Sequence, residues 1–167
     1  MNSADRAADI GAALRCDLAS EVLRSFGRLR FRATGWSMFP SLWPGDTLVV
    51  EHVMPHKIQV GDVALVGRDG RLCAHRIVSK PAGSVDSRWI TQGDAMSAPD
   101  RPVSEGELLG RVAYLIRRGK LVAAPAELNV AGRLIAKIVR RSVPVARALV
   151  YLHRLIQAAK ESVPCLG

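Results

Sequence analysis

The chain has 167 residues, of which 49% are hydrophobic, and it carries a formal net charge of +9 with a pI near 10.3. This length fits one compact domain with appendages, and the apolar content is sufficient for a real core. Cysteines at positions 16, 73 and 165 form no C-x-x-C pair, which excludes a zinc knuckle or dithiol redox motif and suits a reducing compartment. The charge fits nucleic acid, an anionic membrane surface or an acidic peptide.

The N-terminal sequence lacks the basic start and apolar h-region of a secretory signal. No uninterrupted apolar run approaches the roughly 20 residues that a membrane-spanning helix requires. We therefore expect a protein that is cytoplasmic or peripherally associated with a membrane.

The first predicted element, within residues 1–27, is an amphipathic helix. Apolar residues recur every four positions between residues 5 and 26, at Ile10, Leu14, Leu18, Val22 and Phe26. This stripe predicts a helix packed on the domain. The alternative is an interfacial or partner-binding helix.

The segment 28–122 is rich in predicted strands, and its first strand has a period of two. Arg28, Arg30 and Arg32 alternate with apolar residues, and β-rich runs follow at residues 47–53, 63–66, 72–78, 88–91 and 108–116. Asp69-Gly70 between two runs predicts a tight hairpin turn. We expect a mainly β domain closed into a barrel-like unit.

The remaining segment, 123–167, predicts a basic helical tail. Asn129 is a plausible N-cap for a helix to Ser142, Pro144 interrupts it, and a second helix covers residues 145–160. A basic amphipathic tail can bind an anionic membrane surface. Equally, its apolar face can pack on the β domain; nucleic acid is the least favoured partner.

Three short blocks carry the chemical information. They are GWSMFP at residues 35–40, AHRIV at residues 74–78 and GDAMSAPD at residues 93–100. In this order and spacing they resemble signal peptidase I and LexA-type serine peptidases, and in particular the Ser/His/Asp branch of signal peptidase I, over residues 31–113. The chain departs from that family in lacking the usual N-terminal transmembrane anchor.

The resemblance implies a signal peptidase/LexA-like β-barrel or β-ribbon catalytic domain and a serine endopeptidase activity. It assigns Ser37 as the nucleophile, His75 as the general base and Asp100 as the carboxylate that orients the histidine. Asp94 belongs to a turn that shapes the site and assists. A serine hydroxyl needs such a base at neutral pH, and an imidazole, which ordinarily titrates near about pH 6.5, can accept the proton.

Each of these residues also has a purely structural interpretation. Ser37 can be a turn serine, His75 a histidine satisfied by a backbone carbonyl, Asp94 a turn residue and Asp100 half of an Asp-Arg loop pair. The three blocks together favour the catalytic interpretation.

The residues around Ser37 are assigned to the oxyanion and substrate region. These are Gly35, Trp36, Met38 and Pro40. The backbone N–H of Ser37 is expected to be the first oxyanion donor, and a second donor stays unassigned. No cofactor or metal is expected, because the histidines lack the clustered spacing of a zinc site.

The family prefers small residues before the cleaved bond, which implies a shallow apolar pocket and an extended peptide docked as an added strand. The expected partner is a peptide or protein precursor. Two alternatives stay open: a non-catalytic peptide-binding or regulatory module of the same fold, and a peripheral membrane or nucleic-acid-binding protein that uses the basic tail.

Overall fold

The computed structural model describes residues 3–81, 88–126, 132, 134–137 and 151. One helix, α1 (Ser3–Phe26), precedes seven strands and two short 3-10 helices. The strands are β1 (Arg28–Arg32), β2 (Thr47–Glu51), β3 (Val63–Arg68), β4 (Arg71–Ser79), β5 (Ile90–Gln92), β6 (Leu108–Arg117) and β7 (Lys120–Ala123).

The strands form one antiparallel sheet in the order β1-β2-β6-β3-β4-β5, and β7 pairs with β6 beside β3. The prediction of a mainly β domain with an N-terminal helix is confirmed. The prediction of a closed barrel is wrong, because β1 and β5 lie at opposite ends of the sheet and do not pair. β5 has three residues and covers only the last part of β4, so it cannot extend the sheet back to β1.

Apolar side chains cover both faces of the sheet. One face carries Leu48, Leu65 and Leu115, against which Leu23 of α1 packs. The opposite face carries a second cluster that includes Ile77 and Trp89. The sheet is therefore packed on both of its faces.

The helix α1 is present as predicted, but the predicted buried stripe is wrong. Leu14, Leu18 and Phe26 are 64%, 61% and 79% exposed, whereas Ala19 and Leu23 are buried. A spacing of four residues advances about 40° per step around a helix of 3.6 residues per turn. The stripe therefore winds around α1 instead of staying on one face.

Two tight β-hairpin turns occur among the described strands, and the sequence predicted one of them. The β3–β4 hairpin is confirmed: Asp69 and Gly70 have φ values of 50° and 69°, as a tight turn requires. The hairpin that adds β7, through Arg118 and Gly119, was not predicted. All four residues of β7 are exposed, so its sequence lacks the alternation that reveals a half-buried strand.

Most of the predicted C-terminal tail lies outside the described residues. Residues 132 and 134–137 are helical; Ala136 is buried, and Leu134 and Ile135 are exposed. Both helices of the tail and its membrane-binding role stay predictions. In the described part of the chain, no helix combines the length and apolar character needed to cross a bilayer.

Candidate active site

The loop between β1 and β2, residues 33–46, carries Ser37 and is held at its C-terminal end by Asp46. The buried Asp46 carboxylate accepts a bond of 2.8 Å from the Trp43 N–H and is paired with Arg117 of β6 at 2.6 Å. Arg117 Nη2 also donates to the Ser41 carbonyl at 2.9 Å. The C-terminal part of the loop is therefore fixed to β6 through Ser41 and Asp46.

Three side chains from separate segments meet beside this loop. Ser37 Oγ lies 3.0 Å from Nε2 of His75 in β4, and His75 Nδ1 lies 2.6 Å from Asp100 Oδ2. Because an ionised carboxylate only accepts hydrogen bonds, Nδ1 carries the proton and donates it to Asp100. Nε2 is then free to accept from the Ser37 hydroxyl.

Thr91 of β5 completes the surroundings of Asp100. Its hydroxyl donates to Asp100 Oδ2 at 2.6 Å, and its carbonyl accepts from the Asp100 N–H at 2.8 Å. Burial acts to raise the pKa of Asp100, but the hydrogen bonds from His75 and Thr91 outweigh burial and lower that pKa below its ordinary value. Asp100 is therefore ionised at neutral pH.

Asp94, the other candidate acid, does not contact His75. Its carboxylate is 4% exposed, pairs with both Arg76 Nε and Nη2 at 2.8 Å, and accepts from the Ser41 hydroxyl. The turn that contains Asp94 is bonded to the loop that carries Ser37, since the Ala95 N–H donates to the Ser37 carbonyl at 2.8 Å. Asp94 shapes the site but does not belong to the hydrogen-bonded series of Ser37, His75 and Asp100.

Gly93 explains why this turn can approach Ser37 so closely. A Cβ atom at position 93 would lie 2.6 Å from the Ser37 carbonyl oxygen and 2.7 Å from Cγ of Met96. Such distances are shorter than van der Waals contact, so any larger residue would push the two loops apart. The Gly-Asp pair therefore combines close packing with a buried charge.

Arg76 connects four segments around the site. Besides Asp94 and Ser41, its guanidinium donates to the carbonyls of Gly61, Pro125 and Ala126 at 2.6, 2.8 and 2.9 Å. An arginine within the apolar run of β4 was the sequence signal for such a role. Its partners could not be read from the sequence.

Replacing Arg76 by methionine is expected to destabilise the fold by about 3 kcal/mol, because it removes the guanidinium that makes two hydrogen bonds to the buried Asp94 carboxylate. The matched control is Arg28→Met, which removes an ion pair with Glu51 whose arginine is 70% exposed. We expect a loss below about 1 kcal/mol there. Urea unfolding of both variants measures the difference, and equal losses would contradict the assignment.

A second ion pair holds the segment that follows Asp100. Arg68 pairs with Glu107 and donates to the carbonyls of Arg101 and Pro102. The hydrogen bond from Arg68 is the largest cause that lowers the pKa of Glu107 from 4.5 to about 2. The stabilisation from this ionised group is complete above pH 4.5 and is lost as the pH falls towards 2.

Glu107→Gln is therefore expected to be less stable than the wild type above pH 4.5, with a difference that shrinks to zero near pH 2. Denaturant unfolding across this range measures it. The matched control is Glu105→Gln in the same turn, an exposed residue with no ionic partner within the described ranges. A Glu107 difference that does not change with pH would contradict the prediction.

The remaining residues assigned around Ser37 divide between core and cavity. Met38 is buried in the core, Trp36 packs partly against the cluster of Phe39 and Ala95, and Pro40 is half-buried after a cis peptide bond. Gly35 lies beside Ser37 on the wall of an apolar cavity of about 170 Å³. The cavity is also lined by Phe31, Ala33, Thr34, Met38, Leu42, Leu48, Leu72, Cys73 and Ala74.

Two further observations bear on the nucleophile. The Ser37 N–H has no acceptor among the described residues, so it is available for an oxyanion. Burial, followed by the nearby charge of Asp100, raises the pKa of the Cys73 thiol to about 11. Cys73 is therefore protonated at neutral pH, which disfavours it as a nucleophile and leaves Ser37 as the candidate in this cavity.

Sequence reasoning missed Thr91, Ser41 and the roles of Arg76 and Arg117. Thr91 stood at the end of a predicted strand, where a threonine is unremarkable as a β-former.

For metal binding, the portion of the chain that the structure describes contains no group of three or more histidine, cysteine or acidic side chains suited to an ion.

Comparison with protein-family models, with curated proteins and with solved structures finds no match to this chain. The interpretation of the site therefore depends on its geometry.

Proposed function

We propose that this protein is a serine endopeptidase, similar to signal peptidase I of the Ser/His/Asp branch, that cleaves a peptide or protein precursor. The hydrogen-bonded series from Ser37 through His75 to Asp100 is the observation that carries the proposal. A serine, a base and a carboxylate in this order define acyl-transfer sites on unrelated folds.

In the proposed reaction, Ser37 Oγ attacks the scissile carbonyl carbon while His75 Nε2 accepts the hydroxyl proton. The C–N bond then breaks as His75 returns this proton to the leaving amine. Water attacks the acyl-serine with His75 again as base, which releases the carboxylate product and restores the Ser37 hydroxyl. Asp100 stays ionised and stabilises the imidazolium formed in each step.

The Ser37 N–H is the proposed first donor to the oxyanion. It lies in the same residue as the nucleophile, in a loop fixed through Asp46 and the turn at Ala95. A donor held in place before the reaction stabilises the developing charge without reorganisation.

The proposed peptide lies between the end of β1 and the first half of β4. Residues 71–75 of β4 pair with β3 on one side, and β5 begins its pairing only at Arg76. This leaves an edge to which an extended peptide can add as a strand. The cavity of about 170 Å³ between Phe31 and Ala74 is below the roughly 300 Å³ of common ligand pockets, so it favours one small side chain.

The test is cleavage of synthetic peptides by the purified chain, followed by mass spectrometry. A peptide with alanine at the first and third positions before the cut should yield two defined products. The same peptide with phenylalanine at those positions should be cleaved at least about tenfold more slowly, because the side chain does not fit. Absence of cleavage, or equal rates for both peptides, would overturn the proposed function.

A further inference from the structure

A second cavity, of about 640 Å³, lies on the Asp100 side of the triad and is unusually rich in arginine. Arg15 of α1, Arg68 and Arg71 of the β3–β4 hairpin and Arg101 line it, and the triad acid Asp100 lies at its wall. We propose that this cavity binds an acidic segment of the peptide substrate. The proposal deepens the proposed function and depends on it.

The charges of the cavity do not cancel internally. Arg68 is neutralised by Glu107, and Arg101 pairs with Asp69 of the hairpin at 2.8 Å. Arg15 and Arg71 have no carboxylate partner among the side chains that the structure describes at residues 11, 13–81 and 88–126.

Asp100 is the triad acid at the cavity wall. Its Oδ2 accepts from His75 and Thr91, and among the described residues it forms no ion pair with Arg15 or Arg71. Two guanidinium groups from different elements therefore line the same cavity with no carboxylate in ion-pair contact among the described residues. A guanidinium binds a carboxylate through two parallel N–H donors, which gives both affinity and orientation.

The size and position of the cavity favour a peptide over a free anion. Its volume lies within the roughly 300–1,000 Å³ of sites that bind ligands of several residues and exceeds the need of one small anion. Cys73 lines both this cavity and the apolar cavity beside Ser37. One extended chain can therefore occupy both, with its small residue near Ser37 and its acidic residues between Arg15 and Arg71.

Binding is tested on the Ser37→Ala protein, which holds peptides without cleaving them. Fluorescent peptides share one alanine-containing cleavage sequence and carry three aspartates, or three asparagines, on one or the other side of it. We expect one aspartate peptide to bind roughly tenfold more tightly than its asparagine counterpart, as a charge-assisted contact allows. Adding Arg71→Gln or Arg15→Gln should remove this preference.

The matched control is Arg30→Gln, an exposed arginine of β1 outside the cavity, which should retain the full preference. Equal binding of aspartate and asparagine peptides, or a preference that survives Arg71→Gln, would overturn the inference. Displacement of the aspartate peptide by inorganic phosphate at an equal concentration would also overturn it, in favour of a small-anion site.

Cleavage by the wild-type protein separates this inference from the proposed function. If the peptidase assignment is correct, the preference should appear as a roughly tenfold lower KM with little change in kcat, since the arginines contact a remote part of the substrate. Arginine-dependent binding without any cleavage would support the acidic-peptide site and overturn the peptidase.

Discussion

Replacement of Ser37 by alanine is expected to lower kcat for peptide cleavage by about 10⁶-fold. The variant lacks the Oγ atom that forms the acyl intermediate, whereas His75, Asp100 and the oxyanion N–H remain. Initial rates with the alanine-containing peptide measure the loss. A serine-directed fluorophosphonate should add its mass to the wild-type protein at Ser37 and leave the variant unmodified.

Ser97→Ala is the matched control, because Ser97 is exposed in the neighbouring 93–100 loop and makes no contact with the triad. It should retain wild-type activity and labelling. Thermal unfolding of both variants should be close to that of the wild type, since the Ser37 hydroxyl has no hydrogen bond other than the one to His75 among the described residues, and the backbone bond from Ala95 to the Ser37 carbonyl is kept in the variant. Cleavage that survives Ser37→Ala unchanged would exclude the assigned nucleophile.

Asp100→Asn is expected to lower kcat by about 10⁴-fold with little effect on the fold. The carboxylate accepts from both His75 Nδ1 and the Thr91 hydroxyl, and its lowered pKa keeps it negative throughout the reaction. An asparagine can present its NH₂ group to the ring. This NH₂ donor favours the histidine tautomer in which Nε2 carries the proton. A protonated Nε2 cannot accept the hydrogen bond from the Ser37 hydroxyl.

Asp94→Asn is the informative comparison, because Asp94 belongs to the same loop and is more deeply buried than Asp100. Its carboxylate neutralises Arg76 and does not contact the histidine. We expect this variant to lose stability in urea unfolding while its folded fraction retains a much larger share of kcat than Asp100→Asn. The reverse order of the two kcat values would show that the roles of the two acids are exchanged.

The sequence predicts those features whose cause is local. Alternation of residue types identifies β1, β-rich runs identify β2 to β6, and the Asp69-Gly70 pair identifies a turn that depends on two backbone conformations alone. The members of the triad could also be named, because each occurs in a short block with its neighbours.

Features that depend on distant neighbours could not be predicted. Whether β1 pairs with β5 is a property of the whole sheet, and α1 buries Ala19 and Leu23 because of where the sheet lies against it. Likewise, Thr91 matters only because Asp100 packs beside it, and Arg76 finds acceptors at Gly61 and Pro125, far from it in the chain. Neither the composition of the sequence nor the spacing of its residues predicts these contacts.

The adjacency of His75 and Arg76 in β4 links the geometry of the proposed active site to correct folding. Successive strand residues point to opposite faces, so the first of the pair reaches Ser37 while the second reaches Asp94. A deletion or insertion of one residue between the hairpin turn and His75 would exchange their directions. Misaligned molecules would then lose the His75 contact to Ser37 and the Arg76 contact to buried Asp94 together, so a chain with β4 out of alignment would lack both the triad geometry and this buried ion pair.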